Sequence, residues 1–293
     1  MSNNSWGGQW TEIKLDAFIK YVRAYLTIMK KYPYWQTIYF DGFAGVGQRV
    51  RDRQGQQILD LWEGEIPEDI DVYKGASKRV LEEKDLSFDY YYFIDKDKEN
   101  ISSLEQIANN TNHISRNRII IREDDCNAQL TKLASALSKK KLAALIFLDP
   151  FGMQIIWDSI QQLKKTRSDI WILIPSGVSI NRLLPKNGKT KSKKVLEGFF
   201  GLSYDEIHNH FYAKREDLTL FGQITNEEKI ENPIDKIISL YQIQLKKIWT
   251  YCSHEPLILY NSKKAPIFHL IFASNNEKAL KIANQIISKR QRK

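Results

Sequence analysis

Apolar residues recur early in the chain at Leu15, Phe18, Ile19, Val22, Leu26 and Met29. That spacing lies near the 3.6-residue period of a helix with one buried face. It predicts a long amphipathic helix over Thr11–Lys31, with Thr11 as its cap and Pro33 as its stop. Beyond it the pattern changes to short apolar runs. Thr37–Phe40, Asp89–Ile94, Arg118–Ile121, Leu142–Leu148 and Ile170–Ile174 have the length and bounds of buried strands. Helical patterns separate most of them, over about Ala76–Lys84, Lys98–Ala108, Ala128–Leu137 and Ile155–Leu163. Strands that alternate with helices predict a doubly wound, mostly parallel sheet.

After Pro175 the alternation stops. Lys193–Phe200, Tyr204–Phe211 and Pro233–Tyr251 read as helices. Two late strands, Leu257–Tyr260 and Ile267–Ala273, flank a hairpin-like turn, so the sheet is expected to end antiparallel before a last helix over about Glu277–Ile287. The polar, acidic stretch from Gln48 to Gly75 reads as an insertion after the first strand. The organisation expected is one α/β domain in four parts. They are an N-terminal helical segment (1–35), a core (36–175), a helical, basic insertion (176–252), and a C-terminal hairpin and helix (253–293).

Composition narrows the function classes. With 42% apolar residues among 293, the chain has the makings of a sizeable core. The longest apolar runs fall far short of the ~20 residues a bilayer needs, so no membrane association is expected. The first residues show neither a basic nor an apolar signal region. Two distant cysteines make no disulfide framework, and a reducing, cytoplasmic setting is the expectation. His208 and His210 are two apart, on different faces of a helix, and no metal site is expected. The net charge of +9 favours polyanionic partners, nucleic acid first. The segment 182–194 carries six cations and no acid: Arg182, Lys186, Lys189, Lys191, Lys193 and Lys194. It reads either as a solvated loop or as a substrate-binding element that holds phosphates. The end of the chain, 288–293, adds four more cations.

Acids fall at or just past four successive strand ends: Asp41, Asp95, Asp125 and Asp149. Ligands of open α/β sheets bind beyond those ends. The repetition suggests a ligand with several donors and a positive centre. The first acid opens Asp41-Gly42-Phe43-Ala44-Gly45-Val46-Gly47, which is neither a dinucleotide fingerprint nor a P-loop. Gly45 and Gly47 let the backbone approach a ligand, and Asp41 attracts an ammonium or sulfonium. The loop resembles D-x-F-x-G-x-G, the first motif of class I S-adenosylmethionine (AdoMet) methyltransferases. That resemblance implies AdoMet as cofactor, contacted by Asp41, Phe43, Ala44, Gly45, Gly47, Asp95, Asp125 and Cys126. Asp95 suits a ribose diol, although it lies 54 residues beyond Asp41 where about 20 is usual. Asp125, or its rival Asp124, suits an adenine amino group, and Asn127 is a candidate helix cap.

The fourth motif is Leu148-Asp149-Pro150-Phe151-Gly152. It resembles the [D/N/S]-P-P-[Y/F/W] of enzymes that methylate exocyclic amines of bases, and its D-P-F-G form resembles the tRNA guanine-N2 methyltransferases. A carboxylate and a backbone carbonyl accept the two amine hydrogens, which frees the nitrogen lone pair, and alignment supplies much of the rest. Asp149, Pro150 and Phe151 are the catalytic candidates. Phe151 stands at the second proline position and Gly152 at the aromatic one. A base reached this way must be turned out of any duplex.

With these motifs, the chain resembles the three-Cys-motif partner (TcmP) family over nearly its full length. The likeness runs from Trp10-Thr11, Lys14-Leu15 and Tyr21, through the Asp41, Asp95, Asp125-Cys126-Asn127 and Asp149 motifs, to Tyr260-Asn261-Ser262-Lys263 and Leu270–Ser274. It implies a class I methyltransferase-like, Rossmann-like fold and a protein partner with a three-cysteine motif. The activity expected is AdoMet-dependent N-methylation of a nucleic-acid base. The alternatives are methylation of a peptide or small molecule supplied with a partner, or a non-catalytic regulatory role. The N-terminal helix, whose Lys14 and Tyr21 share a face, either packs on the sheet or closes over the cofactor.

Overall fold

The computed structural model describes residues 8–45, 75–139, 141–186, 188–219 and 222–291. Helix α1 (Gly8–Met29) precedes β1 (Gln36–Asp41), α2 (Ala76–Leu81), β2 (Tyr90–Asp95) and α3 (Lys98–Asn109). Then come β3 (Ile119–Glu123), α4 (Cys126–Lys139), β4 (Leu142–Leu148), α5 (Trp157–Gln161) and β5 (Ser168–Ile174). A π-helical turn, Ser176–Ile180, leads on to α6 (Lys193–Phe200), α7 (Tyr204–Phe211), β6 (Tyr212–Thr219), β7 (Gly222–Lys229) and α8 (Pro233–Leu245). The chain closes with β8 (Tyr251–Cys252), β9 (Leu257–Tyr260), β10 (Pro266–Ser274) and α9 (Glu277–Gln291).

The main sheet runs β3-β2-β1-β4-β5-β10-β8, with β9 also paired to β10. Strands β1 to β5 are mutually parallel, and β10 is antiparallel to β5, β8 and β9. This is the mixed α/β fold the alternation predicts, with the antiparallel C-terminal hairpin. Side chains alternate between two cores, as a pleat requires. Ile38, Phe40, Ala144, Ile146, Leu148 and Ile172 pack toward α4, α5 and the α6–α8 region. Tyr39, Leu145, Phe147, Trp171 and Leu173 face α1, α2, α3 and α9.

The predicted apolar stripe of α1 is buried, and Phe18 stacks on Phe147 with ring centroids 4.1 Å apart. The helix packs on the sheet. It starts at Gly8 rather than Thr11, which therefore lies inside the helix and is not its cap. Trp10 stacks on Phe268 at 5.2 Å, which extends the packed face back by a turn.

The region expected to be helical, 176–252, also holds the antiparallel β6–β7 ribbon. Its strands are charge-rich, with Lys214-Arg215-Glu216-Asp217 in β6 and Glu227-Glu228-Lys229 in β7, so no apolar run marks them in the sequence. The helix expected over Pro233–Tyr251 ends at Leu245, because Tyr251 and Cys252 pair with β10. The expected insertion from Gln48 to Gly75 lies, save Gly75, outside the described residues, as does Gly47. Among the described residues no helix is long and apolar enough to cross a membrane.

Candidate active site at the carboxyl ends of the strands

The parallel register sets the site. Asp41 pairs with Phe93 of β2 and Phe147 of β4, so the ends of three adjacent strands lie level. Asp149 follows two residues beyond Phe147, and Gly42 N–H donates to the Phe147 carbonyl at 3.1 Å. Asp41, like Tyr39, faces α1, and only 1% of it is exposed. Its carboxyl accepts from Tyr39 Oη at 3.0 Å, Ser77 Oγ at 3.1 Å and the Phe43 N–H at 3.3 Å. Burial pushes its pKa up to about 7, against the pull of these hydrogen bonds; the charge of nearby Asp149 adds to the rise.

Asp149 is paired from within the chain. The ammonium of Lys14, itself buried, forms a short ion pair with Asp149 Oδ2. It also lies 5.3 Å from the centroid of the Trp10 ring. About two turns further along α1, Tyr21 Oη donates to Asp169 at 2.8 Å. Burial pushes the Asp169 carboxyl up, and the Ser274 and Tyr21 hydroxyls oppose this. Lys14 and Tyr21 thus share a face, and that face is pinned by two carboxylates of the β4–β5 region. Pro150 is buried, and Phe151 is half-buried, with its N–H donating to Gln154 Oε1 at 3.3 Å.

Asp95 lies beside the β1 loop. Ala44 N–H donates to the Ile94 carbonyl at 2.9 Å. A Cβ on Gly45 would lie 3.3 Å from Asp95 Oδ2 and 3.1 Å from Asn100 Nδ2. Asp95 accepts from the Asp97 N–H at 2.8 Å and from Asn100 at 3.1 Å. Burial nevertheless holds its pKa above the usual range. Asp125 sits on the surface side, ion-paired to Lys96 at 2.7 Å. Burial pushes its pKa up, but the Lys96 contact and backbone N–H bonds outweigh it and hold the carboxyl low. Asp124 is held low by Gln129 first, then by the Asp125 N–H.

Cys126, Asn127 and Phe43 make packing and loop contacts of their own. The Cys126 side chain is buried in the core, and burial pushes its thiol up. A Cβ on Gly42 would come 2.4 Å from its Sγ, so Cys126 sets how closely the loop lies on α4. Asn127 is not a cap. Its amide donates to the Gln154 carbonyl at 2.9 Å and accepts from Ile156 N–H at 2.8 Å, tying the loop after Asp149 to α4. Phe43 packs against the core cluster on the α4 face.

Arg182, Lys186, Lys189, Lys191, Lys193 and Lys194 are all exposed, in the segment that follows the end of β5. It is fastened below, by Tyr204 Oη on the Gly188 carbonyl at 2.8 Å and Tyr212 Oη on the Pro185 carbonyl at 2.7 Å. The Lys193 ammonium lies 4.5 Å over the Tyr204 ring. The sequence pattern singles out none of Ser77, Asn100 and Lys96. Only Lys14 leaves a signal, as a lysine four residues before Phe18 on the buried face.

No protein-family model and no curated protein matches the chain. Among solved structures it is similar to a Legionella pneumophila protein of the DUF519 family, at 12% identity and TM-score 0.44, covering 97% of this chain and 93% of that one. A conserved hypothetical protein of Streptococcus pyogenes shows 14% identity, TM-score 0.28 and coverage of 70% and 94%. The methyltransferase domain of bacterial CtHen1 shows 13% identity, TM-score 0.29 and coverage of 76% and 100%. The strand order itself, parallel β3-β2-β1-β4-β5 continued by antiparallel β10, defines a doubly wound, mostly parallel α/β fold.

Proposed function

We propose that this protein is an AdoMet-dependent methyltransferase that acts on an exocyclic amine of a nucleic-acid base. The observation that carries the reading is the set of carboxyl groups at adjacent strand ends, Asp41, Asp95 and Asp149, without a lysine in the described part of the β1 loop. A donor set of this kind fits a cationic nucleoside that lacks phosphates. Asp41, pushed up to about 7 by burial and by Asp149, gains from a cation placed beside it. In this reading Asp95, beside Gly45, takes the ribose diol, and Asp125 or Asp124 takes the adenine amine. AdoMet supplies a methyl group already activated on sulfur. Asp149 and the backbone after it accept the amine hydrogens and orient the nitrogen, and the 182–194 cations hold the phosphates.

The test is methyl transfer from radiolabelled AdoMet to separate pools of genomic DNA, tRNA, rRNA and cell protein. Label is expected in one nucleic-acid pool, with a loss of about 100-fold in Asp149→Ala, the scale of one aligned polar contact in a transition state. Undiminished transfer by that variant would remove Asp149 from the mechanism. A second reading rests on the Lys14–Asp149 pair, since the chain's own ammonium holds the candidate catalytic carboxylate. It is a methyltransferase that needs a partner, such as a three-Cys-motif protein presenting a peptide or small molecule, or a regulatory protein. AdoMet binding without label in any pool would favour it.

A further inference from the structure

The strand ends opposite the acidic site carry the reverse charge. Past α1 the chain reads Lys30-Lys31-Tyr32-Pro33-Tyr34-Trp35 and enters β1 at Gln36. Lys139 and Lys141 precede β4, and Lys164, Lys165 and Arg167 precede β5. Backbone bonds bring the three entries together: Gln36 N–H on the Lys141 carbonyl at 3.0 Å and Ala144 N–H on the Arg167 carbonyl at 3.0 Å. The Arg167 guanidinium lies 4.6 Å over the Trp35 ring. All seven of these cations are exposed, and no acid interrupts 30–36, 139–141 or 164–167. On the β2 side, Asp89 is engaged by the Thr37 N–H at 2.7 Å and hydroxyl at 2.8 Å.

Aromatic rings stand among the cations. Tyr34 is 57% exposed and Tyr32 40%. They meet edge to face at 6.2 Å, and Tyr34 lies 5.7 Å from Trp35. Pro33 between them restricts the backbone that presents both rings. We propose that this amino-terminal pole of the sheet binds an unpaired segment of nucleic acid. Tyr34 and Tyr32 stack on bases while the lysines and Arg167 contact phosphates. Rings of this kind need free base faces, which a duplex hides. A lipid surface is the poorer match, because the large exposed apolar residues of these loops are tyrosines and none is aliphatic. Strand β4 spans seven residues, so the two poles lie roughly 23 Å apart. One nucleic acid touching both must be long or folded.

Binding at this pole is independent of methyl transfer, and one experiment separates the two. Fluorescence anisotropy would compare fluorescein-labelled 20-nucleotide oligouridylate and oligothymidylate with a duplex of equal length. Single strands should bind more tightly than the duplex. Tyr34→Ala should weaken binding about 10-fold, and Tyr34→Phe should stay within about twofold of wild type. Lys30→Gln/Lys31→Gln should lower the slope of log affinity against log salt by about 1.4. Asp149→Ala should bind as wild type even where transfer is lost. Unchanged binding in Tyr34→Ala and in the lysine pair would overturn the proposal. So would a preference for duplex, or variant-sensitive binding to phosphatidylserine vesicles without binding to the oligonucleotides.

Discussion

Asp41→Asn is expected to make the folded protein more stable at pH 8 by about 2–4 kcal/mol, and no more stable at pH 4. The cause is the carboxyl's position, 1% exposed and with no cation among its hydrogen-bonding partners in the described residues. Its folded pKa of about 7 stands against 3.8 as the ordinary value, so the native state holds the proton longer than the unfolded chain. Stability from this group is therefore complete below pH 3.8, falls as pH rises toward about 7, and stays low above it. About three pH units at 1.36 kcal/mol each give a cost of about 4 kcal/mol. Asparagine avoids that cost. Its oxygen can take the Phe43 N–H, and its amide can donate to the Tyr39 and Ser77 hydroxyls, with Ser77 already 3.3 Å from the Ala44 carbonyl as an alternative acceptor. Urea midpoints across pH 4–8 would measure the difference, and parallel profiles for the two proteins would refute it. Under the methyltransferase reading the same change weakens AdoMet binding. Wild-type binding near pH 6.5 should then release protons, seen as a dependence of calorimetric heat on the buffer.

That trade also explains why this part of the site is legible in the sequence. A buried strand that ends in an acid breaks its own pattern, and Asp41, Asp95 and Asp149 each stand against an apolar run. The runs themselves set the strand count through β5, because a parallel sheet covered on both faces leaves near-continuous apolar segments. What local pattern does not carry is which groups meet across the fold. Lys14 and Asp149 lie 135 residues apart and are joined only because α1 crosses β4 at Phe18 and Phe147. Ser77 reaches Asp41 from a short helix whose sequence signals nothing polar in its role. Asn127 reads as a cap because it stands just before a helical pattern. The helix instead begins at Cys126, which frees the amide to hold the loop after Asp149. The β6–β7 ribbon stays hidden in the sequence because its strands pair with each other and its charge-rich segments contain no apolar run.

Two glycines three residues apart, one inside α6 and one at its end, should respond to alanine with opposite sign. Gly201→Ala is expected to destabilise the protein by about 3–5 kcal/mol. Gly201 ends α6 at φ +64, and a Cβ there would fall 1.9 Å from Trp157 Cδ1 and 2.2 Å from Cγ. Trp157 is only 4% exposed and meets Tyr241 edge to face at 5.8 Å, so the indole has no room to yield. The helix cannot rise away without uncovering Leu196, Phe199 and Phe200. A Cβ on Gly198 would meet nothing within 4 Å, and the backbone there is not left-handed. Gly198→Ala should therefore stabilise by about 0.5–1 kcal/mol through helix propensity. Chemical denaturation of the two variants decides it, and equal effects would show that the α6–Trp157 contact does not set the packing. The outcome bears on function because α6 begins with Lys193 and Lys194. Gly201→Ala should therefore weaken any phosphate contact made through the 182–194 segment, while oligonucleotide binding at Tyr34, on the far pole, persists under conditions where the variant remains folded.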